Sequence, residues 1–453
     1  MAQRQYTVQS GDSLFQIGRN LGTVPEGIYL LNRLESDALS VGQILKIPAY
    51  VEALVLYEDT PVYRWESTQG QTLGVLDAGA RLEVTDTTQR FFEVKYLQET
   101  GYILREDAQL LAYDGSVPVV EILGYYTQAE GADFPSSEET FRQNTDVLTS
   151  TGLFFWRLDA AEPVILENSA SAPPAYIDDL VMTGHRNNVL MLGVVHNLLY
   201  GDRETSYQTA QIALSSEENR RALTQSILEL VQEYNLDGIN MDIEDMEESD
   251  KENYVAFLET LAEALHQQGK WLAVCVPSKL RDDEDNDFSA PFDYEAIGQV
   301  ADQVVIMLYN EHGWPGSGPG PVSSSPWMRR VLDYAVERIP PEKILAAVGL
   351  FGFDFNLSTE RVRYLSYAQV QELLERYQAV EMFDEATQTP MFTYTAENGE
   401  QHEVWYDNER SIEDRARVAE EYGIAGLALW RMGLGDPEVW QMLRTQVVVR
   451  KGV

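Results

Sequence analysis

The chain has 453 residues and carries 73 acidic against 33 basic side chains, which gives a formal net charge of −40 at pH 7. A surface of that charge repels nucleic acid and anionic lipid, so we expect neither as a partner. The apolar runs are shorter than a membrane span, which argues against membrane insertion. The length allows about two or three domains.

Secretion signals, disulfides and metal sites find little support in the sequence. Met1 to Val8 lacks the apolar core of a classical signal peptide, so we expect the protein to stay with its cell or to leave by another route. The single cysteine, Cys275, lies in an apolar run and is predicted to be a buried thiol. The five histidines show no metal-ligand spacing, so surface or packing roles suffice for them and we expect no metal site.

Residues 1–49 read as a small unit in which a strand, two helices and a second strand follow one another. The sequences Tyr-Thr-Val-Gln-Ser-Gly-Asp-Ser-Leu and Leu-Ser-Val-Gly-Gln-Ile-Leu-Lys-Ile-Pro at its two ends resemble a LysM domain. The resemblance implies binding of glycans that contain N-acetylglucosamine, such as peptidoglycan or chitin, with Gly11, Asp12 and Ser13 near the ligand. A unit that merely folds and acts as a spacer is the alternative.

Residues 50–115 change to short alternating runs separated by Gly, Asp and Thr turns, the pattern of a small antiparallel barrel. The segment Thr-Leu-Gly-Val-Leu-Asp-Ala-Gly-Ala-Arg-Leu-Glu-Val, followed by Phe-Phe-Glu-Val-Lys-Tyr, is similar to bacterial SH3-like domains. A spacer role and binding of a cell-wall peptide both stay open for this unit.

Residues 116–453 alternate apolar runs with amphipathic helices, which predicts a (β/α)8 TIM barrel whose site lies at the carboxyl ends of the strands. The interval from about 354 to 404 has its own strands and helix, so we expect an α+β insertion beside the cleft. The eight predicted barrel strands are residues 119–126, 152–156, 189–195, 237–244, 271–276, 303–309, 344–351 and 424–430.

The fourth of these runs, residues 237–244, carries an unusual polar row. Side chains alternate along a strand, so Asn240, Asp242 and Glu244 share one face and the intervening apolar residues share the other. A parallel strand covered by helices is normally apolar on both faces. The polar row is therefore predicted to face the inside of the barrel, near a site at its mouth.

Two carboxylates on one strand suggest a particular chemistry. Asp242 and Glu244 are separated by roughly 6.6 Å along the strand, so their like charges raise one pKa and make Glu244 a competent general acid. Carboxylates on the same strand cannot flank a glycosidic bond from opposite faces, so another group must attack. The 2-acetamido oxygen of the substrate can do so, with Asp242 orienting the acetamide.

The octapeptide of residues 237–244, Asp-Gly-Ile-Asn-Met-Asp-Ile-Glu, resembles the signature of family 18 glycoside hydrolases, the chitinase-type enzymes. The resemblance implies an eight-fold barrel, cleavage beside an N-acetylhexosamine, and retention of configuration through substrate assistance without metal or cofactor. Asn240 occupies the middle acid position of the motif, an option that the family uses.

Other strand ends fit the same family. Met307-Leu308-Tyr309-Asn310 resembles the family's Met-x-Tyr-Asp, which implies that the Tyr309 hydroxyl steadies the acetamide, while Asn310 replaces an aspartate and carries no charge. Trp430 matches the tryptophan on which the scissile sugar stacks. The predicted catalytic residues are Glu244, Asp242 and Tyr309. The predicted substrate-binding residues are Asn240, Asn310, Trp430, Trp314 and Asp237.

The order of the three units resembles that of spore cortex-lytic and spore-coat N-acetylglucosaminidases of endospore formers. It implies hydrolysis of N-acetylglucosaminyl bonds in peptidoglycan, in spore cortex or its fragments, by a monomer associated with the spore or cell wall. Two alternatives stay open. One is a chitinase or chitooligosaccharide hydrolase with the same chemistry, and the other is a non-catalytic glycan-binding protein on the same barrel.

Overall fold

The computed structural model describes residues 4–131, 133–199, 201–284 and 286–452. Its first unit consists of β1 (Gln5–Thr7), α1 (Leu14–Leu21), α2 (Pro25–Leu31) and β2 (Ile44–Lys46). The two strands pair antiparallel, and the side chain of Ser13 caps α1 by accepting from the backbone of Gln16. Val8, Ile17 and Leu45 are among the buried residues between them. The predicted βααβ arrangement of a LysM domain is confirmed.

The second unit is an antiparallel sheet with a separate core. Its strands are β3 (Tyr50–Val55), β4 (Thr60–Tyr63), β5 (Thr72–Leu76), β6 (Arg81–Thr87), β7 (Phe91–Tyr96), β8 (Glu99–Leu104) and β9 (Ala108–Tyr113). They follow the spatial order β5-β4-β8-β7-β6-β3-β9. Short strands with alternating burial are what the sequence pattern predicts, whereas the SH3-like assignment stays a prediction.

The third unit begins with β10 (Val119–Tyr126), α3 (Glu138–Asn144), β11 (Ser150–Leu158), β12 (Leu166–Asn168), α4 (Pro174–Arg186), β13 (Leu190–His196), α5 (Arg203–Leu214), α6 (Glu217–Glu233), β14 (Gly238–Asp242), α7 (Lys251–His266), β15 (Trp271–Pro277), α8 (Tyr294–Val300), β16 (Gln303–Met307), α9 (Ser325–Ala335) and β17 (Ile344–Gly349). It continues with β18 (Gly352–Asn356), β19 (Arg361–Leu365), α10 (Tyr367–Tyr377), β20 (Met382–Asp384), β21 (Thr389–Thr395), β22 (Gln401–Tyr406), α11 (Glu409–Tyr422), β23 (Gly426–Trp430), α12 (Glu438–Gln446) and β24 (Val448–Val449). Each of the eight predicted barrel strands is present.

Within the described ranges, eight parallel strands close into a barrel in the order β10-β11-β13-β14-β15-β16-β17-β23, because β10 pairs with both β11 and β23. Alternation along β14 and into the residue after it sends Ile239, Met241 and Ile243 to the layer beneath the helices. The intervening positions face the interior, where Cys275 and Val305 also lie. The sequence prediction that the polar row faces inward is confirmed.

Two additions to the barrel set the shape of its ends. β18 to β22 form an antiparallel sheet that packs with α10 and follows β17, at the carboxyl end of the barrel. The second unit instead contacts the amino ends of the strands, where Asn188 donates to the carbonyls of Arg81 and Lys95 and accepts from the backbone of Leu97. The predicted α+β insertion is present, and the second unit packs at the opposite end of the barrel from it.

Across the residues with described coordinates, no helix is long and apolar enough to cross a membrane.

Candidate active site

A buried hydrogen-bonded cluster fills the barrel below its mouth. The Tyr125 hydroxyl donates to Asn240 Oδ1 at 3.0 Å, and the Cys275 thiol donates to the same oxygen at 3.2 Å. All three side chains are buried. Asn240 thus lies inside the barrel, under Asp242, and does not line the cleft at the mouth. The structure gives it a supporting position, at variance with the direct sugar contact predicted from the sequence.

Asp242 ends β14 and is buried at the top of this cluster. Burial raises the pKa of its carboxyl group to about 6, and the neighbouring Cys275 thiol partly opposes the shift. Oδ1 has no hydrogen-bond partner among the described residues. A buried carboxylate oxygen without a donor is costly, so this atom is available for a donor that arrives with a ligand.

Glu244 lies two residues beyond the end of β14 and borders the cleft at the barrel mouth. Burial raises its pKa well above the ordinary value, and the negative charges of Asp242 and Asp245 raise it further. The Arg203 guanidinium partly opposes them. A glutamate whose pKa is raised in this way keeps its proton near neutral pH, which is what a general acid requires.

Tyr309 and Asn310 follow β16 and lie at the same mouth. Burial and the nearby charges of Glu244 and Asp242 raise the pKa of the Tyr309 hydroxyl well above its usual value, so it stays a hydrogen-bond donor. Asn310 is exposed and has φ +61°, a left-handed conformation that asparagine tolerates better than most residues. Both side chains border the cleft.

Trp430 ends β23 and forms an aromatic wall with its neighbours. Its ring lies 5.2 Å from that of Tyr125 and 5.3 Å from that of Phe154, measured between centroids. Phe154 in turn stacks on His196 at 4.2 Å. Burial lowers the pKa of His196 to about 3, so its imidazole is neutral at physiological pH. An apolar, uncharged surface of this kind suits the face of a sugar ring.

The cleft has two cavities that meet at Tyr309. A cavity of about 940 Å³ borders Glu244, Lys279, Arg281, Phe288 and Trp327, among others. A smaller one of about 290 Å³ borders Trp430, Phe351, Phe353 and Tyr364. Tyr309, Asn310 and Trp314 border both. Trp314 is 55% exposed, so it stands at the rim between the two.

Asp237 is a second predicted site residue that the structure does not bring to the cleft. It precedes β14 at the amino end of the barrel, where Oδ2 accepts from the Met191 backbone at 2.8 Å and contacts His185 Nε2 at 2.8 Å. Gln98 of the second unit donates to its carbonyl. Strand alternation predicts the face on which a residue lies but not its position along the barrel axis. The predicted contact of Asp237 with substrate is therefore wrong.

Asp237→Ala is expected to lower the melting temperature but to leave kcat per folded molecule unchanged. The substitution leaves the buried Met191 N–H without its acceptor, at a cost of about 3 kcal/mol. Asp237→Asn, which keeps an acceptor in the same place, should lose less. Thermal melting followed by circular dichroism, with kcat measured on the folded fraction, checks both. A tenfold loss of kcat at unchanged stability would show that Asp237 contributes to the active site after all.

Several residues of the site escaped the sequence analysis. Asn197 accepts from the Glu244 backbone, and Arg203 pairs with Asp245 beside it. Tyr125 and Cys275 support Asn240 from other strands. The signal for Asn197 was present, because a polar residue directly after an apolar barrel strand lies at the mouth. Arg203 and Asp245 are brought together only by the folded chain.

The residues predicted to bind glycan in the first unit have local structural roles. Gly11 has φ +92° in the turn before α1, a conformation that favours glycine. Asp12 accepts from the Gln9 backbone at 2.7 Å and from the Tyr6 hydroxyl at 2.8 Å. Ser13 is the cap of α1. Their contact with a ligand stays a prediction.

The described part of the chain contains no cluster of His, Cys, Asp and Glu side chains that could hold a metal ion.

Comparison with known proteins gives two family matches. The model of glycosyl hydrolases family 18 matches residues 201–435, and that of the LysM domain matches residues 6–48. The chain is similar to the cortical fragment-lytic enzyme of Bacillus subtilis (strain 168), with 27% identity over 318 residues that cover 69% of this chain and 71% of that protein.

Solved structures agree with these matches. The crystal structure of the Bacillus megaterium QM B1551 spore cortex-lytic enzyme SleL has a TM-score of 0.66 and 25% identity, and the match covers 99% of both chains. A chitinase from Chromobacterium violaceum ATCC 12472 has a TM-score of 0.64 and 28% identity, with 72% of this chain and 99% of that one covered. The family 18 match spans more than half of the chain and includes both Asp242, at the end of β14, and Glu244 in the loop that follows. The chain therefore belongs to glycosyl hydrolases family 18 and is a glycosidase with an amino-terminal LysM domain.

Proposed function

We propose that this glycosidase hydrolyses N-acetylglucosaminyl bonds of peptidoglycan, in spore cortex or its fragments, with retention of configuration. The observation that carries the chemistry is the pair formed by a carboxylate with a free oxygen, Asp242, and a protonated neighbour, Glu244, at the mouth of the barrel. The similarity to cortical fragment-lytic and spore cortex-lytic enzymes supports the substrate.

The first step uses the proton of Glu244. Glu244 donates it to the glycosidic oxygen as the bond from C1 to that oxygen breaks, and the acetamide oxygen of the same sugar bonds to C1. The resulting bicyclic cation is stabilised by the negative charge of Asp242, whose Oδ1 accepts the acetamide N–H. The Tyr309 hydroxyl donates to the acetamide oxygen and holds it in line for attack.

The second step restores the enzyme. The Glu244 carboxylate removes a proton from water, the water oxygen bonds to C1, and the bond from C1 to the acetamide oxygen breaks. Two displacements at C1 retain the configuration. Trp430 supports the apolar face of the reacting sugar throughout.

The two cavities give the substrate a direction. The sugar that carries the acetamide stacks on Trp430 and therefore occupies the smaller cavity, whereas the leaving group lies beside Glu244 in the larger one. A third cavity of about 450 Å³, bordered by Trp314, Phe355 and Arg361, meets the smaller cavity at Trp314. A cleft with room on both sides of the scissile bond supports cleavage of internal bonds.

Electrostatics favours cortex over ordinary cell wall. Ordinary peptidoglycan is rich in carboxylates and repels a chain of net charge −40. We take cortex to be the glycan with fewer charges, which would not repel it. The LysM domain supports tethering to glycans that contain N-acetylglucosamine. We accordingly propose a monomer associated with the spore or cell wall. Preferential binding to vegetative wall over cortex at low salt would contradict this preference.

A chitooligosaccharide hydrolase is the second candidate, and the similarity to a chitinase supports it. The chemistry is identical, so only the substrate distinguishes the two. A non-catalytic glycan-binding protein is less well supported, because Glu244 is retained and has the environment of an acid.

Mass spectrometry of products tests the proposal. The purified protein is incubated separately with cortex fragments and with chitooligosaccharides. New reducing-end N-acetylglucosamine from cortex is expected, together with fragments of intermediate length that indicate internal cleavage. Products from the chitooligosaccharides alone would show that the enzyme is a chitooligosaccharide hydrolase. Absence of product from both substrates would favour the non-catalytic glycan-binding protein.

A further inference from the structure

Glu244 lies outside the hydrogen-bonded ladder of the barrel. The pairing of β14 with β13 ends at Asp242, and its pairing with β15 ends at Met241. The general acid is therefore carried by a loop, although a catalytic group must hold its geometry closely to act. Some contact outside the sheet has to fix this loop.

Asn197 supplies such a contact from the residue that follows β13. Its Oδ1 accepts from the Glu244 N–H at 3.0 Å, and its Nδ2 donates to the Asp245 carbonyl at 3.0 Å. The same Nδ2 donates to the Ser206 carbonyl at 3.1 Å. The side chain is 1% exposed. One buried amide thus holds the backbone on both sides of Glu244 and joins it to the first turn of α5.

The same turn of α5 also fixes the charges around the acid. Arg203, the first residue of α5, places Nη2 at 2.8 Å and Nε at 3.1 Å from Oδ1 of the buried Asp245. The titratable and charged groups that face Glu244 are Asp242, Asp245, Arg203, Tyr309 and Cys275. A shift of the loop would change both the direction of the Glu244 side chain and its distance from each of these groups.

We propose that Asn197 is a positioning residue that holds the general acid through its backbone. It bonds to the main chain of the loop and not to the reacting atoms, so its contribution is geometric. This proposal rests on the role proposed for Glu244. Loss of the Asn197 side chain would impair the chemical step. Substrate affinity would stay nearly unchanged, because the binding surfaces around Trp430 and Trp314 are on other strands and loops.

Three variants are compared with wild type on a soluble chitooligosaccharide and on cortex fragments. Asn197→Ala removes every bond of the amide. Asn197→Asp is isosteric and keeps an acceptor for the Glu244 N–H but loses the donors and adds a negative charge. Asn188→Ala is the matched control, because Asn188 is equally buried and also bonds three backbone groups, at the opposite end of the barrel.

Asn197→Ala is expected to lower kcat about 100-fold with KM within threefold of wild type, since a small misplacement of a catalytic group has that effect. Loosening of the loop admits water to Glu244, so its pKa falls and the alkaline limb of kcat/KM moves to lower pH. Asn197→Asp should retain more activity and move that limb to higher pH, because its charge opposes ionisation of Glu244. Asn188→Ala should lower the melting temperature without moving the limb.

Glu244→Gln is measured in parallel to separate two kinds of failure. An inactive Glu244→Gln together with a wild-type kcat in Asn197→Ala would overturn the positioning role alone. An active Glu244→Gln would overturn the proposed mechanism, and the positioning role with it. If Asn197→Ala does not fold, the isosteric Asn197→Asp decides through kcat, and a wild-type kcat in that variant would overturn the proposal.

Discussion

Glu244→Gln is expected to lower kcat by about 10³-fold or more while the protein still binds its glycan. The amide has nearly the shape of the carboxylic acid but cannot release a proton to the glycosidic oxygen. It also cannot act as the base that activates water in the second step. Both steps of the reaction therefore lose their proton transfer, whereas Trp430, Trp314 and the LysM domain stay intact.

The measurement is the initial rate on cortex fragments and on a chitooligosaccharide, with binding followed by isothermal titration calorimetry. Glu248→Gln is the matched control, because Glu248 is an exposed glutamate on the segment that follows the same strand. It loses the same charge and should keep wild-type turnover. Wild-type turnover in Glu244→Gln would show that another group is the acid.

The sequence was sufficient to predict the barrel because each strand is an apolar run bounded by helical patterns. It also predicted the inward face of the row at Asn240 and Asp242, since alternation along a strand needs no tertiary information. The predicted strand nevertheless ran to Glu244, whereas β14 ends at Asp242. The point at which a strand leaves its ladder depends on its neighbours in the barrel, and these are not visible in one segment of sequence.

The errors at the site have a related cause. Asp237 and Asn240 belong to the same motif as Glu244, but one lies at the amino end of the barrel and the other in its interior. A motif indicates which residues occur together in the sequence. The position of each residue along the barrel axis determines which of them can contact a sugar. Asn197 lies outside the motif and meets Glu244 only because β13 and β14 are adjacent.

Asp242→Asn is expected to lower kcat about 100-fold and to change the pH profile as well. The reaction needs Asp242 ionised and Glu244 protonated, and this state prevails between the pKa of about 6 for Asp242 and the higher pKa of Glu244. Wild-type kcat/KM should therefore fall below about pH 6 and again at alkaline pH, with two apparent pKa values that belong to the coupled pair.

The asparagine variant cannot ionise, so the acidic limb of kcat/KM near pH 6 should disappear. Removal of the negative charge of Asp242 also favours ionised Glu244, which lowers the pKa of the acid and moves the alkaline limb to lower pH. The remaining activity is low because the bicyclic cation has lost its counter-charge. The test is to measure kcat/KM from pH 4 to 9 for wild type and Asp242→Asn. An unchanged alkaline limb in the variant would mean that the two carboxyl groups do not interact as their placement at the end of β14 implies.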